Sequence, residues 1–110
     1  MTPQLRQAVQ NAQDRKALDL SVLDLEGKSS FTSYFLICSG TSTRHSQAIC
    51  DAILEGLEKG GVSPTHIEGY PQAEWILMDY LDFVVHIFSE RARHFYDLER
   101  LWKTAAKVQL

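Results

Sequence analysis

The sequence predicts an α/β fold: a mixed five-stranded sheet with helices packed against it. Three observations carry that expectation. "YFLICSG" (34–40) is a continuous apolar run, too short for a helix and closed by glycine, as in a buried strand. A helical stretch follows at once, with Ala48, Ile49, Ala52, Ile53 and Leu57 on one face. Further on, "EWILMDYLDFVVHIF" (74–88) holds enough sheet-forming residues for two strands. Strand, helix, strand implies one right-handed parallel crossover, and the other neighbours are close enough for hairpins.

Taken in order, Thr2 and Pro3 read as an N-cap and a proline at the first helical position. Leu5, Ala8, Val9 and Ala12 give that helix, to about Lys16, a narrow apolar stripe. In "ALDLSVLDL", Leu18, Leu20 and Val22 alternate with Asp19, Ser21 and Leu23, a strand with one wetter face. "EGKSS" is a turn-rich connection. Thr41, Ser42 and Thr43 are capping candidates for the central helix, which Gly60 or Gly61 closes. A short strand is expected around Thr65–Glu68, with Pro64 at its start or edge. Strands at about Glu74–Tyr80 and Asp82–Phe88 follow, then one helix from about Glu90 to Lys107. In that helix Phe95, Leu98, Leu101 or Trp102, and Ala105 form the expected core stripe.

At 110 residues the chain is one domain, residues 1–110, large enough for its own core. Its formal charge of −3 disfavours a dominant direct role in binding nucleic acid, which needs a net basic face, and favours a basic partner. Cys38 and Cys50 are far apart, with no metal-type cluster around them, and read as free buried thiols. No apolar run approaches the ~20 residues of a membrane helix, and the polar opening is unlike a signal peptide, so a soluble, cytoplasmic protein without membrane partners is expected.

The hairpin is the informative stretch. With Tyr80 and Leu81 as a two-residue loop, Asp79 would oppose Asp82. One face then carries Ile76, Met78, Phe83, Val85 and Ile87, wholly apolar and suited to the core. The other carries Trp75, Leu77, Asp79, Asp82, Val84, His86 and Phe88, apolar at one end and acidic at the other. Opposed carboxylates repel, so solvent, an internal cation or a basic partner must offset them. Aromatic anchors beside charge suit a docking surface. The same residues also suit a tryptophan packed under a terminal helix with aspartates marking a turn. Glu99 and Lys103, at i, i+4, read as a solvated pair that could border the docking face.

Signals for catalysis are thin. "CSGTS" with "TRH" lacks the glycine spacing and lysine of a phosphate loop and reads as helix capping. Asp79 and Asp82 are two oxygen ligands in search of a third, which Asp24 or Glu68 could supply; a metal-dependent, nucleotidyltransferase-like enzyme is therefore the competing reading. His45, His66, His86 and His94 are scattered, and His86, on an apolar strand, suits a semi-buried structural role.

Taken together, "FTSYFLICSGTSTRHSQAICDAI", "GYPQAEWILMDYLDFVVHIF" and "RARHFYDLERLW" resemble the ribosomal silencing factor family, also called Iojap-like, over about Ala17–Trp102. The matching pieces are Gly40-Thr41-Ser42 with Arg44-His45, Trp75 with Asp79 and Asp82, Val85-His86, and Arg93, Tyr96, Leu98-Glu99 and Leu101-Trp102. The resemblance implies a nucleotidyltransferase-like topology without a demonstrated transferase reaction, no cofactor and no catalytic residue. It implies docking on large-subunit ribosomal protein L-fourteen, which blocks joining of the small subunit and lowers translation when nutrients are short. It also implies a homodimer. On this reading Trp75 and Leu77 are the apolar anchor, and Asp79 and Asp82 meet lysine or arginine with Tyr80 beside them. Tyr96 and Glu99 match the motif of the last helix. The family commonly has glycine where this chain has Leu81, and leucine at a positive φ is strained.

Overall fold

A computed structural model describes residues 1–110. The first helix, α1, spans Pro3–Asp14, and the Thr2 hydroxyl accepts the Leu5 N–H at its start. Strands β1 (Leu18–Asp24) and β2 (Tyr34–Gly40) form an antiparallel pair. Helix α2 (Thr43–Glu58) begins at Ser42, whose hydroxyl accepts the His45 N–H. Three strands follow, β3 (His66–Glu68), β4 (Trp75–Asp79) and β5 (Phe83–Ser89), and then two short helices, α3 (Glu90–Tyr96) and α4 (Leu98–Leu101). A two-residue strand, β6 (Ala106–Lys107), completes the chain's regular structure.

The sheet order is β3-β4-β5-β2-β1-β6. Only β2 and β5 run parallel, in unbroken register from Tyr34↔Phe83 to Gly40↔Ser89. The mixed sheet is thus the one expected, with a sixth strand added where Ala106 and Lys107 pair with Asp24 and Leu23. The stripe of α1 (Leu5, Ala8, Val9, Ala12) and the face of α2 pack on one side of the sheet against Ile76, Met78, Phe83, Val85 and Ile87. This is the larger core. A smaller cluster on the other side joins Leu23, Phe35, Ile37, Val84 and Phe88 to Ala92 of α3 and Ala105. His45 ties the two large helices together: its Nδ1 accepts from the Thr41 N–H at 2.9 Å, which leaves Nε2–H to donate to the Arg15 carbonyl at 2.7 Å. Cys38 and Cys50 are free and buried, and burial pushes both thiols up to about 12. No helix is long and apolar enough to cross a membrane.

Two expectations need correction. The final helix does not run on to Lys107. It stops at Asp97, which adopts the left-handed conformation (φ +48), and the chain restarts as α4. A stripe laid along one continuous helix therefore fails: Phe95 and Leu101 are 77% and 75% exposed, whereas Leu98 and Trp102 pack on the smaller cluster and Ala105 is buried. The hairpin loop is Leu81–Asp82, not Tyr80–Leu81. Tyr80 donates its N–H to the Phe83 carbonyl and stacks on the Phe83 ring, centroids 5.0 Å apart, so the ladder extends beyond the expected turn. Asp79 consequently opposes Val84, and the expected repulsion between paired aspartates does not arise. Register has moved by two residues, the side-chain period of a strand, so both faces keep their expected members except Asp82, which now lies in the loop.

Candidate functional site

Trp75 stands at the first position of β4, on the sheet side carrying the smaller cluster. Alternation puts Leu77 and Asp79 on the same side, and all three are half-buried, whereas Ile76 and Met78 between them are buried beneath the large helices. Their neighbours on β5 (Val84, His86, Phe88) are buried, so the accessible part of this face lies on β4 and on the edge strand β3, whose exposed His66 and Glu68 stand opposite Asp79 and Leu77.

The indole is held on several sides. The Phe88 ring lies 5.0 Å away and the Tyr96 ring of α3 lies 4.7 Å away, both tilted against it. Its Nε1–H donates to His86 Nδ1 at 3.0 Å. His86 is 3% exposed, and burial pulls its pKa down to about 4, so the ring is neutral at pH 7. Beside this cluster is a hollow of about 290 Å³ lined by Glu74, Arg91, Ala92, Phe95 and Tyr96. Glu74 accepts from the Ser89 hydroxyl at 2.8 Å and from Arg91 at 3.4 Å, and these contacts hold its carboxyl below the usual range.

The acidic end is differently built. Asp79 Oδ1 accepts the Leu81 N–H at 2.8 Å, which steadies the turn. Leu81 takes φ +71, the strained conformation glycine would adopt freely. Asp82 is exposed, and its carbonyl accepts the Ser33 N–H. Neither Asp79 nor Asp82 forms an internal ion pair. Asp24 and Glu68 do not join them as further ligands: no group of three or more His, Cys, Asp or Glu side chains is spaced to hold a metal ion.

Of the seven residues singled out in the sequence, Trp75, Leu77, Asp79, Asp82, Tyr96 and Glu99 are at least partly accessible. Two are placed otherwise than expected. Tyr80 is 7% exposed on the opposite side of the sheet, in the larger core, because the lengthened ladder gives it the parity of Met78. Glu99 faces inward. It takes two hydrogen bonds from Arg93, at 3.2 and 3.0 Å, and one from Ser21 at 3.4 Å, in place of the expected partner Lys103. Burial pushes the Glu99 carboxyl up, but the Arg93 hydrogen bonds and charge outweigh it and hold the group below its ordinary value. Arg93 also reaches the Ser39 hydroxyl and the Leu18 carbonyl, pinning α3 and α4 to the sheet. Phe95 was missed as a surface residue. The signal was its position beside Tyr96, since consecutive helical residues point about 100° apart and cannot both face one core stripe.

The accessible features of this α/β domain are thus an aromatic cluster and carboxylates without an internal ion pair, with no metal-binding cluster beside them. The whole chain, residues 1–110, matches the family model described as "Ribosomal silencing factor during starvation". It is 39% identical over 106 residues to ribosomal silencing factor RsfS of Bacillus subtilis, covering 96% of this chain and 90% of that one. A crystal structure from Bacillus halodurans superposes with a TM-score of 0.86 at 38% identity, covering 96% of both chains. A mouse protein named "Mitochondrial assembly of ribosomal large subunit protein 1" is 34% identical over 78% of this chain and 39% of its own length. The chain belongs to the ribosomal silencing factor family.

Proposed function

We propose that the protein docks on the large ribosomal subunit through the Trp75 face of β4 and thereby obstructs joining of the small subunit, lowering translation in starvation. The observation that carries this reading is a half-buried tryptophan, braced by Tyr96, on the same strand face as a carboxylate that has no internal cation. Tryptophan in a preformed setting is the commonest kind of interface anchor, and unpaired carboxylates beside it select a basic partner. The family's description and the mouse relative's name both point to ribosomes, the latter to the large subunit. Ribosomal protein L-fourteen is the partner that the sequence resemblance implies, and a chain of net charge −3 is drawn to a basic protein of that kind. Trp75 and Leu77 supply the apolar contact; Asp79 and Asp82 set register; Tyr96 backs the indole. The mechanism is occlusion, with no bond made or broken. A homodimer also follows from the resemblance, and exposed Phe95 and Leu101 give it apolar surface to use.

Co-sedimentation with purified large subunits tests the reading. Because Asp79 caps the turn, the suitable change is Asp79→Asn, which keeps an acceptor, combined with Asp82→Lys. This double variant should keep the wild-type melting temperature, bind more weakly and lose much of the salt dependence of binding. Unchanged binding and salt response would remove the acidic residues from the docking face.

A further inference from the structure

We propose that His86 is a positioning residue for docking: its Nδ1 holds the Trp75 indole in the pose the ribosomal partner meets. The inference rests on the docking reading above and adds a residue that never touches the partner, since His86 is 3% exposed.

The geometry carries it. An indole N–H can only donate, so the 3.0 Å contact requires a lone pair on Nδ1 and places the imidazole hydrogen on Nε2. That Nε2 is buried without a hydrogen-bond partner. Across the sheet His86 pairs with Leu77 on β4 and Ile37 on β2, and the Phe35 ring stands edge-on with centroids 4.4 Å apart. These neighbours would accept an apolar side chain, which would carry no orphaned polar atom. Packing therefore gives no reason for a histidine here. Its sole polar contact, the indole of Trp75, does.

The rest of the neighbourhood serves the same end. Tyr96 and Phe88 flank the indole, which settles its tilt but leaves the direction of the N–H open. Gly69, at φ +79, lets the chain press against the Trp75 carbonyl, where any Cβ would collide, so the backbone is held as well. Without an acceptor at position 86 the N–H loses its one hydrogen-bond partner within the chain. Turning it toward water relieves that cost and swings the six-membered ring out of place. An anchor ordered before binding spares the partner the entropy of ordering it, a difference of about three- to tenfold in affinity for one large side chain.

The test compares His86→Leu with His86→Asn in ¹⁵N-labelled protein. Asparagine carries its amide oxygen at the same bond count from Cα as Nδ1, so it can restore the acceptor; leucine cannot. Trp102 is the internal control, because its indole N–H has no hydrogen-bond partner within the chain, and Trp102→Phe assigns the two signals. In the wild type the Trp75 indole hydrogen should exchange with solvent more slowly than that of Trp102. His86→Leu should abolish the protection while β5 amides stay protected, and should weaken binding to purified large subunits about three- to tenfold; His86→Asn should recover both. If His86→Leu does not fold, His86→Gln, whose acceptor is one bond too distant, takes its place with the same expectation. Loss of indole protection with full binding would overturn the proposal, as would protection that survives His86→Leu or His86→Gln. Trp75→Ala, measured alongside, separates the two levels: if it binds as tightly as wild type, the docking reading itself fails, whatever the histidine does to the indole.

Discussion

Arg93 and Glu99 form the contact that decides where the aromatic cluster stands. Their side chains are only 14% and 27% exposed, and the Arg93 guanidinium meets the carboxylate through two nitrogens at 3.2 and 3.0 Å. A further nitrogen reaches Ser39 at 3.1 Å, so one side chain spans α3, α4 and β2. Breaking a fully buried pair by removing one member costs about 3–5 kcal/mol, because the other charge stays behind uncompensated. The residual solvent access of Glu99 lowers that to about 2–3 kcal/mol for Arg93→Ala. In a domain of this size the loss corresponds to a melting temperature lower by roughly 10 °C. Glu99→Ala should cost less, since Arg93 keeps Ser39 and the Leu18 carbonyl. The double variant should fall short of the sum, with a coupling of about 1–2 kcal/mol. Urea unfolding of the four proteins at pH 7 measures this cycle. Losses below about 0.5 kcal/mol with no coupling, the behaviour of an exposed pair, would refute the claim that this clamp fixes α3 and α4.

Other outcomes follow from the same structure. His86 has its folded pKa drawn from 6.5 to about 4, so the unfolded chain binds a proton that the native one refuses. Its contribution is complete above about pH 6.5 and is lost as pH falls toward 4, a total of about 3 kcal/mol; urea titrations at half-unit intervals should show this slope, and a variant lacking His86 should not. Leu81→Gly should raise stability by about 0.5–1 kcal/mol, because it removes a leucine from φ +71 and sacrifices little burial at a site 61% exposed. Tyr80→Phe deletes a buried hydroxyl that has no partner, so thermal unfolding should shift by less than about 0.5 kcal/mol or move upward, and binding to large subunits should not change.

Much of this molecule was legible in its sequence because the signals were local. The run ending in glycine is β2 to the residue, and Ser42 caps α2 as its hydroxyl suggested. The two faces of the β4–β5 hairpin survived a wrong loop because a slip of two residues preserves parity; a slip of one would have inverted them. Tyr80 went astray through that slip, since its place depends on stacking with Phe83 rather than on either residue alone. The end of the chain was misread for a longer-range reason. Nothing in "RARHFYDLERLWK" marks Asp97 as a left-handed break, and the residues that make the break worthwhile, Ser39 and the Leu18 carbonyl, lie more than fifty positions away. Glu99 follows from it: with the helix ended, the residue turns back to Arg93 and away from Lys103. β6 belongs to the same group, a two-residue pairing with β1 that carries no periodicity of its own.

The measurement closest to the central claim is subunit joining followed by light scattering, with purified small and large subunits and the wild-type protein or Trp75→Ala added in increasing amounts. Wild-type protein should suppress joining in a saturable manner, and Trp75→Ala, folded to the same extent, should need at least roughly tenfold more protein for the same suppression, the loss expected of an interface anchor. Equal potency of the two proteins, or joining that proceeds unhindered with wild-type protein in excess, would contradict docking through the Trp75 face.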